Sequence, residues 1–242
     1  MDRITEFIKL ANDNEGFIAV VLFVTTLLLG WISGIFQSLR RRPKFKITVI
    51  EGPSFCCTFE TGREHNSHKA HRTAIALYLT VSNTGSAPSN IQNIQVGYHN
   101  FTFKYSFLWF WITKPAVALE DFQVMIGDNI KIYPFLLQKN RLSPSQPDTF
   151  LEIGKSTTGV VYFEQDECWG GFYPRDKVGN ITIKIKIEDV FGKSHTRKTS
   201  IPKLSLPEAS RFNPQFGKTF ESLLAGQEKQ KVEEQSKTSE MN

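Results

Sequence analysis

Cysteine is scarce: Cys56, Cys57 and Cys168 are the only three in 242 residues. That number excludes a disulfide-stapled scaffold and a zinc ribbon built from several cysteine pairs. Neither sign of charge dominates. With 29 Lys+Arg against 24 Asp+Glu, the surplus of five positive charges is too small to mark a dedicated nucleic-acid binder. Charged residues at 22% and hydrophobic residues at 40% exclude a disordered chain and a membrane protein of many spans. Nucleotide and hydrolase signatures are missing too. Gly154-Lys155-Ser156, Gly192-Lys193-Ser194 and Gly217-Lys218-Thr219 each supply the end of a phosphate-binding loop, but the glycine needed five residues earlier is Thr149, Ile187 or Phe212. No G-x-S-x-G elbow occurs. Phenylalanine, by contrast, is abundant at 20 residues, which predicts an aromatic core or an exposed aromatic surface.

The clearest positive feature is Phe17 to Phe36, FIAVVLFVTTLLLGWISGIF, which carries no charge. A helix of that length spans roughly 30 Å, the thickness of a bilayer core. The polar members Thr25, Thr26 and Ser33 can bond back to their own helix. A cleaved signal peptide fits poorly, because Asp2, Glu6, Asp13 and Glu15 outnumber Arg3 and Lys9 before the run, and no A-x-A site follows it. Arg40, Arg41, Arg42, Lys44 and Lys46 close the run as a stop-transfer sequence. Positive charge on that side, opposite a short acidic tail, predicts an extracytoplasmic N-terminus and a cytoplasmic remainder. The expected location is the cytoplasmic (inner) membrane, single-pass, with anionic lipid as the nearest partner of the basic stretch. Gly30 and Gly34 form a GxxxG that Thr26 and Ser38 extend, a face that would let two copies associate as a homodimer.

Beyond the basic linker the periodicity becomes two. Ile75, Leu77, Leu79 and Val81 alternate with smaller or polar residues, and Ile181, Ile183, Ile185 and Ile187 alternate with Thr182, Lys184, Lys186 and Glu188. Further strands are expected over 45–49, 55–60, 91–99, 101–113, 129–135, 158–164 and 193–202. Asn83-Thr84-Gly85, Gly127-Asp128-Asn129, Gly170-Gly171 and Phe191-Gly192-Lys193 supply the turns. The predicted fold is mainly β: one transmembrane helix, then an antiparallel immunoglobulin-like sandwich with an aromatic-rich insertion near 101–150. The expected divisions are 1–16 (extracytoplasmic tail), 17–36 (membrane helix), 37–44 (basic linker), 45–206 (sandwich) and 207–242. In that last part Phe216, Phe220, Leu223 and Leu224 suggest a short helix before a disordered tail.

Arg41-Arg42-Pro43-Lys44-Phe45-Lys46-Ile47 directly after one span, and the V-x-N-x-G-x-x-P-x-x-I pattern from Val81 to Ile91, resemble a recurrent class of uncharacterised bacterial membrane-anchored proteins. Gly154 to Phe163 and the Glu188-Asp189-Val190-Phe191-Gly192-Lys193 hairpin are similar as well. The resemblance implies an immunoglobulin-like domain on a single anchor. It transfers no catalytic residue.

Two groups of residues stand out as candidate sites. Glu64-His65-x-x-His68-x-x-His71, after Cys56-Cys57, offers His65, His68 and His71 as metal ligands if a turn makes them converge. A solvated loop joining two strands explains the same segment without metal. The second group is FTFKYSFLWFWI, 101–112. A strand there would put Phe101, Phe103, Tyr105, Phe107, Trp109 and Trp111 on one face, while Leu108, Phe110 and Ile112 on the other need a cover. The segment 114–150, a partner or the headgroup layer could provide it, so Leu108, Trp109, Phe110, Trp111 and Ile112 form a candidate interface. Lys193, His195, Arg197, Lys198 and Lys203 are expected to form one solvated basic face. The expected function is a non-enzymatic interaction module without cofactor or nucleic acid, serving a protein partner or the membrane surface. The alternative is a metal-dependent enzyme using the histidines.

Overall fold

The structure is a computed structural model that describes residues 14–33, 41–101, 108–137 and 149–218. It divides into two compact units, 1–42 and 43–242. In the first, helix α1 covers Glu15–Ile32 and buries none of its side chains. It begins two residues before the expected span; Gly34 and Arg40 lie outside the described residues. Eighteen residues rise about 27 Å, and the helix is long and apolar enough to cross a membrane. Thr25 and Thr26 donate to the carbonyls of Val21 and Leu22, 2.7 Å each, and Ser33 donates to Gly30 O at 3.1 Å. The hydroxyls are thus satisfied within the helix, as an apolar solvent requires.

The second unit is mainly β. Its strands are β1 (Phe45–Val49), β2 (Phe55–His65), β3 (His68–Asn83), β4 (Ser89–Tyr98), β5 (Phe110–Ile112), β6 (Phe122–Ile126), β7 (Asn129–Tyr133), β8 (Phe150–Leu151), β9 (Ser156–Glu164), β10 (Asp176–Lys177), β11 (Asn180–Asp189) and β12 (Ser194–Pro202). In the first sheet β3 is central. β9 lies along one edge, while β1 and β2 share the other, opposite residues 79–83 and 68–76. In the second sheet β11 lies between β12 and β4, and β5 continues beyond β4. All these pairings are antiparallel.

The two sheets share one core. Ile75, Leu77, Leu79 and Val81 of β3 meet Ile181, Ile183, Ile185 and Ile187 of β11, with Ile94, Val96 and Tyr98 of β4. Period-two alternation delivers this, since every second side chain leaves the same face. Ala74 and Ala76 of β3, which point the other way, are buried as well. With Phe55 of β2 and Tyr162 of β9 they form a second core on the opposite face of the first sheet. Alanines there leave room for large rings to lie close to the backbone. Phe122 and Tyr133 of the β6–β7 hairpin supply those rings, with Phe135 and Phe216.

Three expectations change accordingly. Among the described residues after β5, Ala118, Phe122, Tyr133 and Phe135 cover the first sheet, while Leu136 shares a core with Ile112, and Phe110 and Leu137 pack against that core. Among the described residues of the strand expected over 101–113, β5 is the part that forms; 102–107 lie outside the described residues. The folded unit also passes position 206: α2 (Leu206–Ala209) leads into a segment whose Phe216 is 4% exposed. The sequence there lacks periodicity because the segment packs through isolated aromatics and turns rather than through a regular face.

The chain's entry into this unit is clamped by buried polar groups. Asn83 donates to Ala87 O (2.8 Å) and Leu151 O (3.0 Å), and its Oδ1 accepts from Gly85 N (3.0 Å) and Lys44 N (3.3 Å). Both donors and both acceptor positions of the amide are used, which is why it can be buried. Fully buried Asp189 accepts from Phe191 N and Lys193 N at 3.0 Å each, and from His195 Nε2 at 2.9 Å. His195 Nδ1 accepts from Phe45 N at 3.3 Å. Nδ1 accepts here, so the ring proton must sit on Nε2. The asparagine and aspartate that carried the resemblance are therefore structural ties.

Candidate interaction surface

The histidine segment is a hairpin, not a loop. β2 and β3 pair through His65 and His68, and the turn is only Asn66 and Ser67, with φ of 48° and 64°. Positive φ at both positions gives the turn the twist that suits a two-residue hairpin. Residues three apart on a strand point to opposite faces. His68 is exposed, whereas His71 is fully buried. The strand therefore separates side chains that a turn would have brought together. Among the described residues no group of three His, Cys, Asp or Glu is placed to hold a metal ion.

His71 instead stacks on Tyr173, with centroids 3.8 Å apart, and its backbone pairs with that of Cys168. Neither ring nitrogen makes a well-aligned hydrogen bond. Burial lowers its pKa, against a weaker opposing interaction with the Lys69 backbone. Nearby, Tyr98 OH donates to Gln165 Oε1 and Gln165 Nε2 donates to Cys168 Sγ. Burial raises the pKa of Cys168. It also raises Cys56, and Cys57 to about 11. A nucleophilic thiol needs the opposite shift.

The outer face of the second sheet has a different character. Residues 181–187 of β11 place their isoleucines inward, so Thr182, Lys184, Lys186 and Glu188 point outward. Register aligns Lys184 with Lys198 on one side and Gly97 on the other, and Gly97 with Trp111. A single row thus crosses four strands: Lys198, Lys184, Gly97, Trp111. A Cβ at Gly97 would lie 3.0 Å from the Trp111 indole, so only glycine lets the ring lie flat on the sheet. Trp109 stands beside it at 6.4 Å and packs at a tilt against His99, centroids 3.9 Å apart. The ammonium groups of Lys184 and Lys198 sit 5.9 and 5.8 Å from the Trp109 ring.

Of the five candidate interface residues, Phe110 and Ile112 therefore face inward. Ile112 belongs to the shared core, with Phe110 packed against it. Leu108 is exposed, and Trp109 and Trp111 are half-buried on the outer face. The expected basic face of β12 also divides. His195 is buried against Asp189, Arg197 shares its side of the strand, and Lys198 projects to the other. Lys184, Lys186, Gly97 and His99 went unselected in the sequence. Their signal lies in cross-strand register, which a linear pattern does not contain. Arg41 and Arg42 are described, with their expected lipid role resting on position alone.

No protein-family model matches the chain, and no curated protein is detectably similar to it.

Proposed function

We propose that this protein is a single-pass, membrane-anchored, non-enzymatic interaction module. The observation that carries the reading is an apolar helix with no buried side chain, joined to a β unit with an outward aromatic–basic face. Two antiparallel sheets around one core favour an immunoglobulin-like sandwich, here with a third layer on one side. Arg40, Arg41, Arg42, Lys44 and Lys46 favour a cytoplasmic β unit and an extracytoplasmic N-terminus in the inner membrane. Gly30 and Gly34 favour self-association of the helix. The alternative, a metal-dependent enzyme, loses its main support because His68 and His71 point to opposite faces of β3.

Photocrosslinking in native membranes tests this reading. A discrete crosslinked protein, from probes on the β unit, is the expected result. Diffuse labelling from every position, together with bound stoichiometric metal, would favour the alternative. A C-terminal reporter active only in the cytoplasm tests the orientation and should be active.

A further inference from the structure

Placing Lys184 directly opposite Lys198 is unfavourable, because like charges on facing strand positions repel. Neither lysine, nor Lys186, has an ion-pair partner among the described residues. The same face carries two indoles, and Gly97 is required for one of them to lie flat. In the outward series of β11 the one acid is Glu188, two positions beyond Lys186. The arrangement concentrates cations around aromatic rings and leaves the cations unneutralised. That combination suits an anionic surface wet on one side and apolar beneath.

We infer that the outer face of the second sheet, through Trp109, Trp111, Lys184, Lys186 and Lys198, docks on anionic phospholipid headgroups. The inference rests on the membrane-anchored reading above and names the partner of that face. Tryptophan settles at the headgroup layer because its ring is apolar and its N–H is polar. Each lysine near an anionic leaflet contributes about a fivefold gain. The tether allows it: the twelve residues 33–44 span at most about 45 Å, so the unit stays beside the bilayer. A second exposed apolar patch, Met125, Ile126, Ile130 and Ile132 at the β6–β7 hairpin, belongs to the layer on the first sheet. It carries only Lys131 against Asp128, so it lacks the charge that would select an anionic bilayer.

The test uses the full chain reconstituted in vesicles, with Trp31→Phe and Trp169→Phe so that only Trp109 and Trp111 emit. Bromine-labelled lipid should quench their fluorescence in vesicles of 70% phosphatidylcholine and 30% phosphatidylglycerol. Pure phosphatidylcholine should quench little, and 0.5 M NaCl should reverse the effect, since the screening length falls to about 4 Å. Lys184→Gln with Lys198→Gln should lower the docked-to-undocked ratio about thirtyfold without changing the circular dichroism of the fold. Ile130→Ser with Ile132→Ser should leave quenching intact. Quenching indifferent to lipid charge, quenching lost only in the hairpin variant, or displacement of the vesicle surface by added nucleic acid would each overturn the inference. Such a failure beside a discrete crosslinked protein would leave the interaction-module reading standing.

Discussion

Phe216 lies beyond the point where the sequence pattern ends, yet the structure makes it part of a core, and Phe216→Ala measures which view is right. The ring is 4% exposed. It meets Phe55 at 5.4 Å, Tyr162 at 5.6 Å, Phe59 at 6.4 Å and Phe122 at 6.5 Å. Those partners come from β2, β9 and the β6–β7 hairpin, so one ring joins three parts of the chain. The backbone around it is tied as well: Gln123 N donates to Phe212 O at 2.7 Å, and Asn213 Nδ2 donates to Glu120 O at 3.0 Å. These ties prevent the segment from collapsing into the space that the ring leaves. Removing a buried phenylalanine costs about 3–5 kcal/mol, transfer and cavity together. A domain of this size loses roughly 2–4 °C per kcal/mol, so Tm should fall by about 6–20 °C. Near-ultraviolet circular dichroism of the full chain in detergent follows the aromatic core as it melts. Phe191→Ala serves as control, because Phe191 is 69% exposed and should shift stability by no more than about 0.5 kcal/mol. A Phe216→Ala melting curve within about 2 °C of the unaltered protein would refute the second core.

Gly159→Ala should lose about 1–3 kcal/mol in a urea titration, because its Cβ would sit 2.7 Å from Leu136 N and 2.9 Å from Phe135 C, where that segment crosses β9. His71 gives a pH dependence of definite sign. Burial lowers its folded pKa below the ordinary 6.5, so the unfolded chain binds the extra proton first. The contribution is complete above pH 6.5 and is lost as pH falls below it; His71→Phe, which keeps the stack on Tyr173, should flatten the acid limb of a Tm–pH profile. Maleimide labelling read by mass spectrometry should spare Cys56 and Cys57 in the native protein, both fully buried with raised pKa, and modify Cys168 slowly; denaturant should open all three.

What the sequence could determine was local. A charge-free run as long as 17–36 has one solution in lipid, a helix, because no other single segment satisfies its own backbone. The alternation of Ile181 to Ile187 names its buried face because the strand period is two. Asn83 and Asp189 were legible as turn residues, although their reach to Lys44 and His195 was not. Tertiary structure decided everything that depends on what lies across a gap. His68 and His71 look convergent in a loop and separate on a strand, and only the hairpin turn at Asn66-Ser67 chooses between the two. Ala74 and Ala76 look like the weak side of a strand until Phe122 and Phe216 arrive from 40 and more residues away to cover them. Trp109, Trp111, Lys184 and Lys198 become one surface only through the pairing of β5, β4, β11 and β12. Spacing along the chain sets which side chains of one strand share a face, but hydrogen-bond register sets which side chains of other strands lie beside them, and a sequence read alone carries no record of that.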